Sequence, residues 1–109
     1  MMGKVIDCHI HAVDKKDFEL YKKHACADFF VNIRSIEVGR LFKPFDFEDF
    51  KDCKEMFFLD SLNLDRVEDE LLRIELDLQK YERIIGLKIY IGYQSYYAND
   101  PKVYKIIFH

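Results

Sequence analysis

The sequence predicts an α/β domain of repeated strand-helix units, and three observations carry that prediction. Four apolar strand candidates begin near Lys4, Phe29, Met56 and Gly86, separated by 25, 27 and 30 residues, which is the spacing of parallel strands joined by crossovers. The first three are apolar on both faces, as parallel strands covered on both sides require. Between the third and fourth lies a long amphipathic segment with helical periodicity. The units share no convincing sequence repeat.

The first strand spans residues 4–9 or slightly beyond and opens with the β-branched pair Val5-Ile6. Asp14 then caps a helix with Phe18, Tyr21 and Ala25 on one face, while Lys15, Lys16, Lys22 and Lys23 form a solvated face. The second strand covers residues 28–34. In residues 37–52, the run Pro44-Phe45-Asp46-Phe47-Glu48-Asp49-Phe50 alternates aromatic and acidic residues. It reads as a loop plus a short helix whose phenylalanines pack as core or lid, in preference to a ligand-binding box. The third strand covers residues 56–60.

The clearest helix is residues 65–83, where Val67, Leu71, Ile74, Leu78 and Tyr81 recur at intervals of four and three. Asp65 with Glu68 reads as a capping box, Lys80 and Arg83 suit the negative end of the helix dipole, and Gly86 follows the stop. A coiled coil is the weaker reading, since the stretch is short and flanked by strands. The fourth strand, residues 86–92, places Leu87, Ile89 and Ile91 on one face and Lys88 and Tyr90 on the other. Asn99-Asp100-Pro101 reads as loop, N-cap and first helical residue of a helix from Lys102.

With 109 residues, half of them hydrophobic and 34% charged, the chain has the composition of one globular domain. A net charge of −3 and a pI near 5.8, with basic residues scattered among acids, give no footprint for nucleic acid. Cys8, Cys26 and Cys53 are odd in number and widely spaced, unlike a disulfide framework or a zinc ribbon, so a reducing compartment is expected. The sequence has no secretory leader pattern and no apolar run of 18 residues, and the cytoplasm is the expected location, with no membrane partner.

The chemistry concentrates in Val5-Ile6-Asp7-Cys8-His9-Ile10-His11. Residues two apart on a strand share a face about 6.5–7 Å apart, so His9 and His11 can turn both imidazoles toward one metal ion. The bland alternative is a pair of locally hydrogen-bonded histidines. Asp7 beside the pair, and its place at the C-terminal end of a parallel strand, favour a site. Lys88 is the second candidate, because a strand lysine carries a large desolvation cost unless it meets a carboxylate, a metal-bound group or a carbamate, or reaches water.

Ile6-Asp7-Cys8-His9-Ile10-His11, together with Ile84-Ile85-Gly86-Leu87-Lys88-Ile89-Tyr90-Ile91-Gly92-Tyr93-Gln94, resembles the N-terminal part of a metal-dependent amidohydrolase, in the amidohydrolase-related branch that also contains decarboxylases. The resemblance implies that residues 1–109 form the N-terminal half of a (β/α)8 TIM-type barrel, about four parallel strands with helical crossovers. It matches His9 and His11 to the family's first two metal ligands, with a divalent metal, zinc, as cofactor and a small molecule with an amide, ester or lactone bond as substrate. Lys88 falls on the strand that in several amidohydrolases carries a carboxylated lysine and is the catalytic candidate. Tyr90, sharing its face, is the substrate-binding candidate. The family's later ligands come from strands five, six and eight, so the chain alone is expected to hold metal weakly and to be a poor catalyst. His24 and His109 are not natural substitutes. The alternatives are a non-catalytic half-barrel that self-associates through its open edges into a homo-oligomer, and another His-x-His barrel phosphoesterase. The second is disfavoured by Ala12-Val13-Asp14 after the second histidine.

Overall fold

The computed structural model describes residues 4–35 and 44–89, together with Pro101, Val103 and Lys105. Four strands, β1 (Ile6–Ile10), β2 (Phe29–Ile33), β3 (Met56–Ser61) and β4 (Ile84–Lys88), form one sheet in the order β1-β2-β3-β4. Every neighbouring pair is parallel, so each strand must be reached by a crossover from the same end. Two helices, α1 (Lys15–His24) and α2 (Val67–Lys80), lie on the face to which Phe30, Phe58 and Asp60 point: Phe18 of α1 stacks on Phe30 and Arg73 of α2 bonds Asp60. The architecture is α/β, as the spacing of the apolar segments predicts, and it is compatible with part of a barrel. Among the described residues no helix is long and apolar enough to cross a membrane.

The first crossover follows the sequence closely. Asp14 caps α1, its side chain accepting from the Asp17 amide at 2.7 Å while the Asp17 carboxylate accepts from Val13 N at 3.0 Å. Two orphan amides are satisfied reciprocally. Phe18 is buried, Tyr21 and Ala25 pack against the same core, and the four lysines are exposed.

The second crossover carries the expected short helix in its tightest form. Among its described residues the regular element is a single 3-10 turn, Phe47–Phe50, capped by Asp46. Residues i and i+3 eclipse in a 3-10 turn, which sets Phe47 and Phe50 on one side. Phe45, Phe47 and Phe50 are all buried, and each ring lies within 6.5 Å of the Phe58 ring centroid. The aromatic run is core, as its bland reading holds. Phe18 meets Phe50 edge to face at 6.5 Å, so the turn fills the space between α1 and the sheet.

The boundaries of α2 are corrected. Asp65 does not cap α2, which starts at Val67 after Arg66 with no side-chain capping bond; Asn63 caps the turn ahead of it, its side chain accepting from Asp65 N at 2.9 Å while Glu70 Oε1 accepts from Asn63 N at 3.1 Å. Asp65 belongs to a 3-10 turn, Leu64–Arg66, that leads into α2. At the far end the helix stops at Lys80 with an extended Tyr81, three residues before the expected Arg83. Arg83 is needed elsewhere: its guanidinium donates to Cys53 O and Met56 O, and its carbonyl accepts from Phe58 N at 2.9 Å. The fourth strand therefore begins at Ile84, two residues earlier than expected. Its predicted end, residues 90–92, lies outside the described residues.

Tyr81 closes the helix end onto the second crossover. Its hydroxyl donates to Glu48 Oε1 at 2.7 Å, and Lys80 pairs with the same oxygen at 2.9 Å, so the Glu48 carboxyl is held down to about 2, chiefly by these two partners. A second core cluster joins Leu62, Leu64, Val67, Leu71 and Ile74 to Val103, with Ile89 packed against it. Pro101, Val103 and Lys105 are helical where a helix is expected, and Lys105 pairs with Glu68 of α2. The predicted cap, Asp100, lies outside the described residues.

Asn32 ties the sheet together at the C-terminal end of β2. It is fully buried, and its amide accepts from Ala12 N at 2.9 Å and donates to Ala12 O at 3.1 Å. Removing it leaves both backbone groups of Ala12 buried and unpaired. Asn32→Ala is expected to lower stability by about 2–4 kcal/mol, measured by urea unfolding, and a loss under about 0.5 kcal/mol would mean that water replaces the amide.

Candidate functional site

Burial alternates where β1 ends. Ile10 and Ala12 are buried among Phe18, Phe30 and Met56 on the helix-covered side, and Asn32 holds the Ala12 backbone in place. Because alternate residues of an extended chain point to opposite faces, His9 and His11 are directed to the face away from the helices. The β1–β2 register is irregular between Asp7 and Ile10, so the strand deforms next to the histidines. The two imidazoles converge much more closely than their strand spacing: His9 Nε2 and His11 Nε2 are 2.9 Å apart, with ring planes at 69°.

Asp7 does not join them. Its carboxylate accepts from the His9 amide at 3.2 Å and so braces the backbone. His11 is better held, with Nδ1 lying 3.4 Å from Ser35 Oγ and the Ile33 backbone as a further hydrogen-bond partner. Its pKa is lowered from the ordinary 6.5, first by burial, then by His9 and, more weakly, by Lys88, against the Ile33 backbone bond, which raises it. Lys88 is thus within electrostatic reach of His11, although β1 and β4 are the outer strands of the sheet. In register Lys88 stands beside Ser61, and Gly86 beside Leu59. A Cβ on Gly86 would approach Leu59 Cδ2 to 3.0 Å, so a side chain there would crowd this face of β3. The face brings together His9, His11, Ser35 and Lys88. Tyr90 lies outside the described residues, and His24 is exposed in the last turn of α1.

The donor set fits half of a metal site. Two imidazole nitrogens 2.9 Å apart, each at a zinc–nitrogen distance of about 2.0–2.1 Å, subtend about 90° at the ion, and a tetrahedral angle needs them about 3.3 Å apart. A small rotation of either ring supplies the difference. With His11 donating through Nδ1, its Nε2 accepts from His9 Nε2 at 2.9 Å, so without metal the pair is locally hydrogen-bonded, and an ion held by both nitrogens would replace that shared proton while Nδ1 orients the His11 ring. The described residues contain no group of three or more His, Cys, Asp or Glu able to hold a metal ion.

A second polar cluster, on the opposite face, escapes the sequence reading. Asp60 on β3 is fully buried and accepts from Arg73 Nη1 at 3.1 and 3.2 Å, with Arg34 Nη1 at 3.6 Å. Arg73 also meets Glu70 and Asp77 on its own helix, at 2.5 and 2.7 Å, and donates to Ser61 O. Arg34 and Asp60 each follow an apolar strand run at its C-terminal end, which is the available sequence signal. The i, i+3 and i+4 spacing of Glu70, Arg73 and Asp77 is the other. A cleft of about 330 Å³ opens beside the cluster, lined by Arg34, Phe45, Phe47, Arg73, Asp77 and Tyr81 among others.

The chain has no match among protein-family models, curated proteins or solved structures. The site therefore rests on its own geometry. That geometry predicts that His11 titrates below 6.5 and that His9→Ala and Lys88→Met each move its midpoint upward, because each removes a positive neighbour. Imidazole proton NMR reads the shift, and a Lys88→Met chain with an unchanged His11 midpoint would separate Lys88 from the site.

Proposed function

We propose that this chain is the N-terminal half of an amidohydrolase-type (β/α)8 barrel, and that its histidine face contributes to a metal-dependent hydrolase, or a related decarboxylase, acting on small molecules. The observation that carries the reading is the 2.9 Å approach of His9 Nε2 and His11 Nε2 at the C-terminal end of β1, on the face opposite the helices. In parallel α/β folds that end of the sheet is where chemistry is placed. Four parallel strands in sequential order agree with the start of such a barrel.

His9 and His11 would hold a divalent ion, zinc by donor type, and Ser35 and the Ile33 backbone would fix the His11 ring. When bound, the metal supplies an acidified water or polarises a carbonyl. Lys88, facing the same region, would place a positive charge where a substrate carboxylate or a developing oxyanion needs one. In this proposal Tyr90 continues that face as a substrate contact.

Two imidazoles bind zinc more weakly than the three protein ligands of a catalytic site. The chain loaded with zinc and then dialysed is expected to retain less than one equivalent by metal analysis, and His9→Ala/His11→Ala is expected to weaken the remaining binding by more than about tenfold. Turnover of ester, lactone and amide substrates is expected to be low and to vanish in the same double variant. Binding unchanged by the double variant would remove the metal assignment, and stoichiometric zinc with activity that the double variant abolishes would show that this chain completes the site by itself.

A second reading, a self-associating half-barrel without catalysis, is favoured by the outer strands. Val5 and Ile6 at one edge and Ile85 and Leu87 at the other are exposed apolar residues, on strands whose outer hydrogen-bonding groups invite a partner. At the centre of the helix-free face, however, Val31 and Ile33 are buried and Phe57 and Leu59 half-buried, so on the sheet the exposed apolar residues lie at the edges, while Leu72 and Leu76 are exposed on α2. Both readings expect a homo-oligomer in sedimentation velocity, and a stable monomer at micromolar concentration would remove edge association from either.

A further inference from the structure

We propose that Asp60, Arg73 and Asp77 form a proton-operated latch, in which one proton taken up by Asp77 fastens α2 to the C-terminal end of β3. The inference is independent of the metal reading. Its basis is a charge imbalance built around a fully buried carboxylate, Asp60. Arg73 Nη1 bonds both Asp60 and Asp77, at 3.1 and 2.7 Å, so one guanidinium nitrogen draws two carboxyl groups together. Asp60 is fully buried.

The charged groups around Asp77 come from every described element at the joint. Asp60 faces it from β3, Arg34 from the end of β2, and Arg73 and Glu70 from α2 itself. Asp46, ahead of the 3-10 turn, and Tyr81, after α2, line the same cleft. Within the bonded cluster two guanidinium cations meet three carboxylates. With Asp77 protonated the charges balance, and its carboxyl proton is donated to the Asp60 carboxylate. With Asp77 ionised a negative charge is left over beside the buried Asp60 carboxylate, in a partly desolvated joint.

The titration of Asp77 agrees in direction: burial first, and then the hydrogen bond and charge of Asp60, push it up to about 6 against the pull of Arg73 and Arg34. A carboxyl raised in the folded state stabilises fully below its unfolded value of 3.8, and that contribution is lost as pH rises through about 6. The latch is therefore fastened in mild acid and loosened above neutrality. Its effect reaches the strand ends, because Ser61, whose carbonyl Arg73 holds, is the register partner of Lys88, and Arg34 precedes Ser35.

The test follows α2 and Asp77 separately in the full chain. Carbon NMR of the Asp77 carboxyl, assigned through its own backbone, is expected to give a midpoint near 6, and a midpoint at or below the ordinary 3.8 would overturn the latch. Amide exchange of α2, corrected for intrinsic rates, is expected to speed up by about tenfold or more between about pH 5 and about pH 7.5 in the wild type. It should stay level in Asp77→Asn, whose amide is neutral at both values, and an equal acceleration in both chains would overturn the proposal. Glu70→Gln, which removes a carboxylate without touching Asp77, is expected to lower the Asp77 midpoint. An unchanged midpoint in that variant would show that the charge imbalance is not the cause.

Discussion

The amide of Asn32 occupies the junction between the core and the histidine face. It is buried without access to water, and both its polar ends are matched to the backbone of Ala12, twenty residues earlier in the chain. An amide in that position is stable only if its two partners are presented together at fixed spacing. The chain leaving β1 is thereby held in one path, with Ile10 and Ala12 inside the aromatic core. Once those two residues are inside, the alternation of an extended chain leaves His9 and His11 no choice of face. The convergence of the imidazoles is thus a consequence of core packing around Asn32 as much as of the histidines themselves.

The sheet is braced at its C-terminal end by ionic bonds and at its N-terminal end by a guanidinium that holds backbone carbonyls. Asp60 and Arg73, with Arg34 from β2, connect the ends of two central strands to α2, and Ser61 Oγ donates to Arg34 O in the same region. At the other end Arg83 ties the start of β4 to the carbonyls of Cys53 and Met56. A buried ion pair contributes less net stability than its short distances suggest, because desolvation offsets much of the attraction. Its stronger effect is directional: once Asp60 is buried, only a placement of α2 that delivers Arg73 satisfies it.

The crossover between β2 and β3 shows how side-chain volume replaces secondary structure. Phe45, Phe47 and Phe50, delivered from a short turn and the residue pair before it, pack over Phe58 of the sheet, and Phe50 also meets Phe18 of α1. Each ring contributes a large buried area at low side-chain entropy cost. Glu48, projecting from the same turn, reaches Lys80 and Tyr81, so the segment is pinned at its polar side to the end of α2.

Strand number, strand direction, the cap of α1 and the core role of the phenylalanines were legible in the sequence, because each depends on local spacing: apolar runs at β-α intervals, Asp14 before an amphipathic segment, aromatic residues two and three apart. The shared face of His9 and His11 was legible for the same reason. Tertiary structure decided what depends on partners distant in the chain. Asn63 caps a turn ahead of α2, with Glu70 closing on its amide, so that Asp65 falls before the helix, and Arg83 lies beyond its end, where its guanidinium meets the carbonyls of Cys53 and Met56. The reach of Lys88 to His11 depends on how the sheet brings its outer strands into electrostatic contact, and the Asp60 cluster depends on the placement of α2. Local sequence sets the periodicity of each element, whereas long-range electrostatics and the requirement to satisfy every buried polar group select which residues end it and which meet across it.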